Sequence, residues 1–134
     1  MAPTGHLILA ENAIEANGKL YVHGGSFTGF VGPRLPFSAG VTIVTIFRSD
    51  PQTSYSGIWG LSLRSPGGSV SMLAEGTLQM DPQASDVEIN QQLMVLPTIM
   101  EFREAGVHEI TFTFEATSLD SVLLSIRVQP GEQE

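Results

Sequence analysis

Apolar segments of five to nine residues follow one another from Leu7 to Val128, each closed by glycine, proline, Asn-Gly or Asp-Pro. Inside the segments the apolar side chains recur at every second position. Ile110, Phe112 and Phe114 share one face of Val107–Glu115, and Glu109, Thr111, Thr113 and Glu115 share the other. Val122, Leu124, Ile126 and Val128 fall on one face of Ser121–Val128 in the same way. A period of two belongs to a strand with one face buried. The 14 glycines and 8 prolines that separate these runs are the turns of an all-β chain.

Asn17-Gly18 is the sharpest local signal. A type I′ turn needs positive φ at both central residues, and Asn-Gly adopts this at little cost. The turn joins strands over Leu7–Ala16 and Lys19–Phe27, in a register whose paired numbers sum to 35. Gly24-Gly25 marks a bulge or a close backbone approach. Further strands are expected at Val41–Arg48, Ile58–Arg64, Val70–Met80, Val107–Glu115 and Ser121–Val128, with another beginning at Val87-Glu88-Ile89. Leu93–Phe102 contains Pro97, which suits a short helix or an irregular edge rather than a central strand. Gly29–Arg34 reads as a mobile loop. The expected architecture is a two-layer antiparallel β-sandwich of about eight strands, with a β-barrel as the alternative. Residues 1–134 form one domain, and 130–134 form a disordered tail.

Composition removes several kinds of chemistry. The absence of cysteine excludes disulfides, thiol catalysis, iron–sulfur clusters and cysteine-bound zinc. A net charge of −8 with a single lysine, Lys19, argues against nucleic acid and anionic lipid as partners. No apolar stretch approaches the roughly 20 residues of a membrane helix. Met1–Ala10 lacks a basic region and a long apolar core, so a cytoplasmic location is expected.

The segment His6–Ala13, followed by Gly18-Lys19-Leu20-Tyr21 and the double glycine Gly24-Gly25, resembles an uncharacterised family of small bacterial proteins. Its members open with a Leu-Ala-Asp-like first strand and a Gly-Lys-Leu-Tyr hairpin. This chain departs from that pattern at Glu11 and Ser26, where aspartate and glycine stand in the family. The resemblance implies a β-sandwich and supplies no catalytic residues.

Nothing in the residues themselves assembles into a catalytic site. In the hairpin register His23 lies opposite Asn12, and His6 lies far along the ladder from it, so the two cannot share a metal. His108 reads as a boundary histidine on the face of Ile110. His23-Gly24-Gly25 resembles an oxyanion loop, but no Gly-x-Ser-x-Gly accompanies it. Asp81, Asp86 and Glu88 offer oxygen ligands without the alternation of a calcium loop. Glu101, Glu104 and Glu109 read as solubilising charges. Trp59 alternates in phase with Leu61 and Leu63, so it belongs to the core rather than to a sugar-stacking platform with Tyr21, Phe27, Phe30 and Tyr55.

The strand Val41–Arg48 is apolar on both faces. Val44 and Ile46, with Ile58 on a neighbouring strand, then form an apolar patch outside the sandwich. Val44→Glu is expected to leave the fold intact and break an assembly. The chain thus reads as a non-catalytic protein that needs no cofactor or metal. It binds protein, most simply a second copy of itself, through an apolar sheet face or an edge strand. The competing reading is a carbohydrate- or calcium-binding module using Tyr55, Asp81, Asp86 and Glu88 at one end of the sandwich.

Overall fold

The alternating segments become strands throughout a computed structural model that describes residues 3–17, 19–25, 28–83 and 90–129. Nine strands occur among the described residues: β1 (Thr4–Ala16), β2 (Lys19–Gly25), β3 (Gly29–Gly32), β4 (Phe37–Ser49), β5 (Tyr55–Arg64), β6 (Val70–Met80), β7 (Asn90–Phe102), β8 (Gly106–Phe114) and β9 (Thr117–Val128). They form a four-stranded sheet of order β2-β1-β4-β7 and a five-stranded sheet of order β3-β9-β8-β5-β6. The two sheets pack as a sandwich, and no helix is present among the described residues. In particular, no helix there is long and apolar enough to cross a membrane.

Three expectations change. Gly29–Gly32 is an edge strand and not a mobile loop, and with it the strands, expected at about eight, number nine among the described residues. It pairs in parallel with β9, so the sandwich is not wholly antiparallel. Leu93–Phe102 is neither helical nor irregular, for β7 pairs with β4 from Phe37↔Phe102 to Ser49↔Asn90. Pro97 is accommodated because β7 has β4 as its one sheet neighbour, and an edge strand can spare a donor. The expected strand start at Val87-Glu88-Ile89 and the tail 130–134 lie outside the described residues.

The first hairpin follows the Asn-Gly rule. Asn17 has a φ of 53°, and pairing runs from Ala16↔Lys19 through Asn12↔His23 to Ala10↔Gly25. Gly24, at a φ of 62°, sits where a Cβ would be 2.8 Å from the Glu11 side chain, so the position demands glycine.

The inner faces make one core. Phe47, Phe102, Phe112, Leu61, Ile110 and Ile126 are fully enclosed in it, each contributing about 1.5–3 kcal/mol by burial. Phe47 meets Phe114 edge-on at 5.0 Å, and Phe37 meets Phe102 at 5.5 Å. Trp59 is in this core, as its phase predicts, and its ring covers Gly76, where a Cβ would lie 3.0 Å from it. The Leu7 amide crosses between the sheets to donate to the Asp120 carboxylate at 2.8 Å.

β1 also serves a second, smaller core. Its first half pairs with β4 and its second half with β2. Ala10 and Ala13 of β1 and Val44 of β4 are buried together, with Ile8, Leu20, Ile46 and Val95 packed around them. This cluster lies on the face of β4 turned away from the main core, since Val44 is out of phase with Ile43 and Phe47.

Candidate functional site

The three expected interface residues do not form one patch. Val44 has 0% of its surface exposed, because the β1–β2 hairpin and the neighbouring Ile8 and Val95 enclose it. Ile46 is half-buried in the same cluster. Ile58 belongs to the other sheet, where it is 54% exposed. Sequence alternation identifies the two faces of β4 correctly, but it carries no sign that β1 passes from β4 to β2 and that this hairpin encloses one of them.

The expected ligand residues are also separated. Tyr55 opens β5 and packs against the main core, edge-on to Phe47 at 6.4 Å. Asp81 is exposed just beyond β6, accepting from the Gln79 amide at 3.1 Å. Its backbone carbonyl accepts from Gln83 and Asn90, each at 3.1 Å. Asp86, Glu88 and Phe27 lie outside the described residues. Of the other aromatics once grouped as a platform, Tyr21 is exposed on β2, while Phe30 packs 6.2 Å from Phe102. His6 stands opposite Ile46, not Gly29, and His23 opposite Asn12. No group of three metal-ligating side chains occurs among the described residues.

Two features carry more weight. The first is the outer face of the five-stranded sheet. Cross-strand register places Ile58, Val70, Met72, Val107, Leu123 and Val31 there, all of them exposed. Its centre is small and flat: Ser62, Thr111 and Ser121 form one row, and Gly60, Thr113 and Ser118 the next. Arg64 and Glu109 face each other across β5 and β8 at 2.7 Å, with Leu123 and Val70 at the two ends of that row.

The second is a cleft of about 420 Å³ between the edge strands β6 and β7, at the end where β8 begins. Leu63, Leu73 and Met100 supply apolar wall, and Ser65, Ser69 and Ser71 supply hydroxyls. His108 lines it although only 2% exposed, with its ring edge-on to Phe102 at 5.3 Å. Its Nδ1 lies 3.2 Å from the Gly106 carbonyl, which can only accept. Nδ1 is therefore the nitrogen that donates in this contact. Glu104 stands on the rim, where the Gly67 amide donates to it at 3.1 Å. The Ser65 hydroxyl and then this amide hold its carboxyl below the usual 4.5, and the nearby His108 adds to the effect. Glu101, also on the rim, is paired with Arg103 at 2.7 Å. Reading Glu101, Glu104 and Glu109 as plain solubilising charges missed these partners. Glu104 and Gly67 are 37 residues apart, and no local pattern announces their meeting.

The fold defines an all-β sandwich protein. A family model described as a family of unknown function, DUF6941, matches residues 6–127, and the chain belongs to that family. No curated protein matches the sequence. Among solved structures, a β-glucosidase from Listeria innocua is similar over 95% of this chain, with a TM-score of 0.51 and 8% identity. The same enzyme in complex with glucose aligns over 93% of this chain, at a TM-score of 0.51 and 7% identity. The chain spans only 17% of the length of that enzyme, so the likeness is one of fold alone.

Proposed function

We propose that the protein acts by self-association through the outer face of its five-stranded sheet. One observation carries this reading: that face is apolar and electrically balanced on a strongly acidic chain. Among the described residues, six of the ten exposed large hydrophobic side chains lie on it. Along its paired rows Arg64 and Arg127 balance Glu75 and Glu109, with Glu115 beside Ile58 at one end, where the chain as a whole carries −8. Two copies can therefore approach here without the repulsion they meet elsewhere. Exposed apolar area of this kind marks an interface. The small residues of its central rows allow two such sheets to pack face to face. Of the three residues first singled out, Ile58 alone is part of this surface.

The test is native mass spectrometry of the wild type beside Leu123→Glu and Met72→Glu. A dimer or larger species is expected for the wild type at about 10–100 μM, and monomers of unchanged melting temperature for both variants. A wild-type monomer throughout that range sinks the proposal. Edge pairing is the second route, favoured by β7, a 13-residue edge strand whose Ile99 is 80% exposed. Assembly that survives Leu123→Glu but is lost in Ile99→Lys assigns the contact to that edge.

A further inference from the structure

We infer that the cleft between β6 and β7 binds a small organic ammonium ion with an aliphatic chain. The volume, about 420 Å³, lies in the range of small-molecule sites and holds such a chain with room to spare. Leu63, Leu73 and Met100 provide the apolar wall that an alkyl chain needs. The polar groups select the head. Arg103, the only lysine or arginine of the lining among the described residues, is engaged by Glu101. Glu104 is held by dipoles, the Ser65 hydroxyl and the Gly67 amide, rather than by a paired lysine or arginine. The cleft therefore keeps one carboxylate with no lysine or arginine paired to it among the described residues. The hydroxyls of Ser65, Ser69 and Ser71 offer acceptors as well. An acceptor-rich, net negative site fits a ligand that is cationic and donates hydrogen bonds.

Other ligand classes fit less well. An anion would face the Glu104 carboxylate. A sugar would find no phenylalanine, tyrosine or tryptophan among the described residues of the lining on which to stack. A metal ion lacks a third protein ligand among the described residues. Nothing in this inference depends on self-association, since the cleft opens between strand edges and not on the outer sheet face.

The experiment is an amide NMR titration of the intact chain with n-hexylammonium chloride, set against 1-hexanol and hexanoate. Saturable shifts confined to Ser71, Leu73, Glu104 and His108 and their neighbours are expected for the ammonium. Hexanol should bind at least about tenfold more weakly, the worth of one charge-assisted contact. Glu104→Gln should weaken the ammonium by a similar factor, and Ser71→Trp, which fills the cleft from its exposed rim, should abolish binding. Should Glu104→Gln fail to fold, Ser71→Trp decides alone. Equal binding of hexanol, shifts scattered over the acidic surface, or no saturation by about 10 mM overturns the inference. So does binding that both variants leave unchanged.

Discussion

Val44 tests the second core most directly. If the β1–β2 hairpin encloses it as described, its removal must cost stability; a Val44 at an exposed contact would cost almost none. Val44→Ala deletes two methyl groups from a fully enclosed site. At about 0.8 kcal/mol per buried carbon the transfer loss is about 1.6 kcal/mol. The space left between Ala10, Ala13 and Val95 raises this to about 2–2.5 kcal/mol, since the backbone there closes only partly. For a domain of this size that is a fall of about 8–10 °C in melting temperature. Val44→Glu adds the desolvation of a carboxylate and should cost about 5 kcal/mol or more, approaching the whole stability of a typical domain. Ile58→Glu, on the exposed face, should stay within about 0.5 kcal/mol. The single tryptophan, Trp59, is buried in the main core and reports unfolding by fluorescence during urea titration. If Val44→Ala and Val44→Glu unfold at the wild-type urea concentration, the second core does not exist and the reasoning fails.

Thr45 is completely buried on β4 and its hydroxyl has no hydrogen-bond partner among the described residues. Thr45→Val should therefore be neutral or stabilising by up to about 1 kcal/mol; a loss of more than about 1 kcal/mol in urea titration would reveal a hidden partner. At Gly29 a Cβ would stand 2.4 Å from the Ser125 carbonyl oxygen of β9. Gly29→Ala should cost about 1–3 kcal/mol by forcing β3 off its partner, and unchanged stability would place β3 elsewhere. Glu104 has a folded pKa below its usual 4.5, so its carboxylate favours the folded state. That contribution is complete above the usual value and is lost as pH falls through the lowered one. Glu104→Gln should flatten the decline in stability between about pH 5 and pH 3; urea midpoints that fall in parallel with the wild type would refute this.

Alternation made most of the fold readable. β8 and β9 show it cleanly because one face of each is core and the other is solvent. The register of β1 with β2 followed from Asn17-Gly18 alone, down to Asn12 opposite His23. Other features rest on contacts between distant segments, which leave no local trace. The short Gly29–Gly32 has no turn-linked partner, because its parallel neighbour is the last strand of the chain. Pro97 identified an edge without revealing that β7 runs unbroken beside the whole of β4. The burial of Val44 depends on where β1 leaves β4, which alternation cannot register. Likewise the cleft joins a turn after β5, a turn after β7 and a core histidine, three segments that look unrelated in sequence.

The divided allegiance of β1 separates the molecule into two units of unequal tenacity. Ala10 is the pivot, paired with Thr42 on one side and Gly25 on the other. Beyond it, the arm formed by Asn12–Ala16 and β2 is paired only with itself. Ala13 and Leu20 against Val44 and its neighbours, and the contact of Thr42 with the Glu11 carbonyl, fasten it to the sandwich. Lifting the arm exposes far less apolar surface than separating the sheets. Its amides should therefore exchange with solvent deuterium through a local opening, while those of β5 and β8 wait for the whole sandwich to unfold.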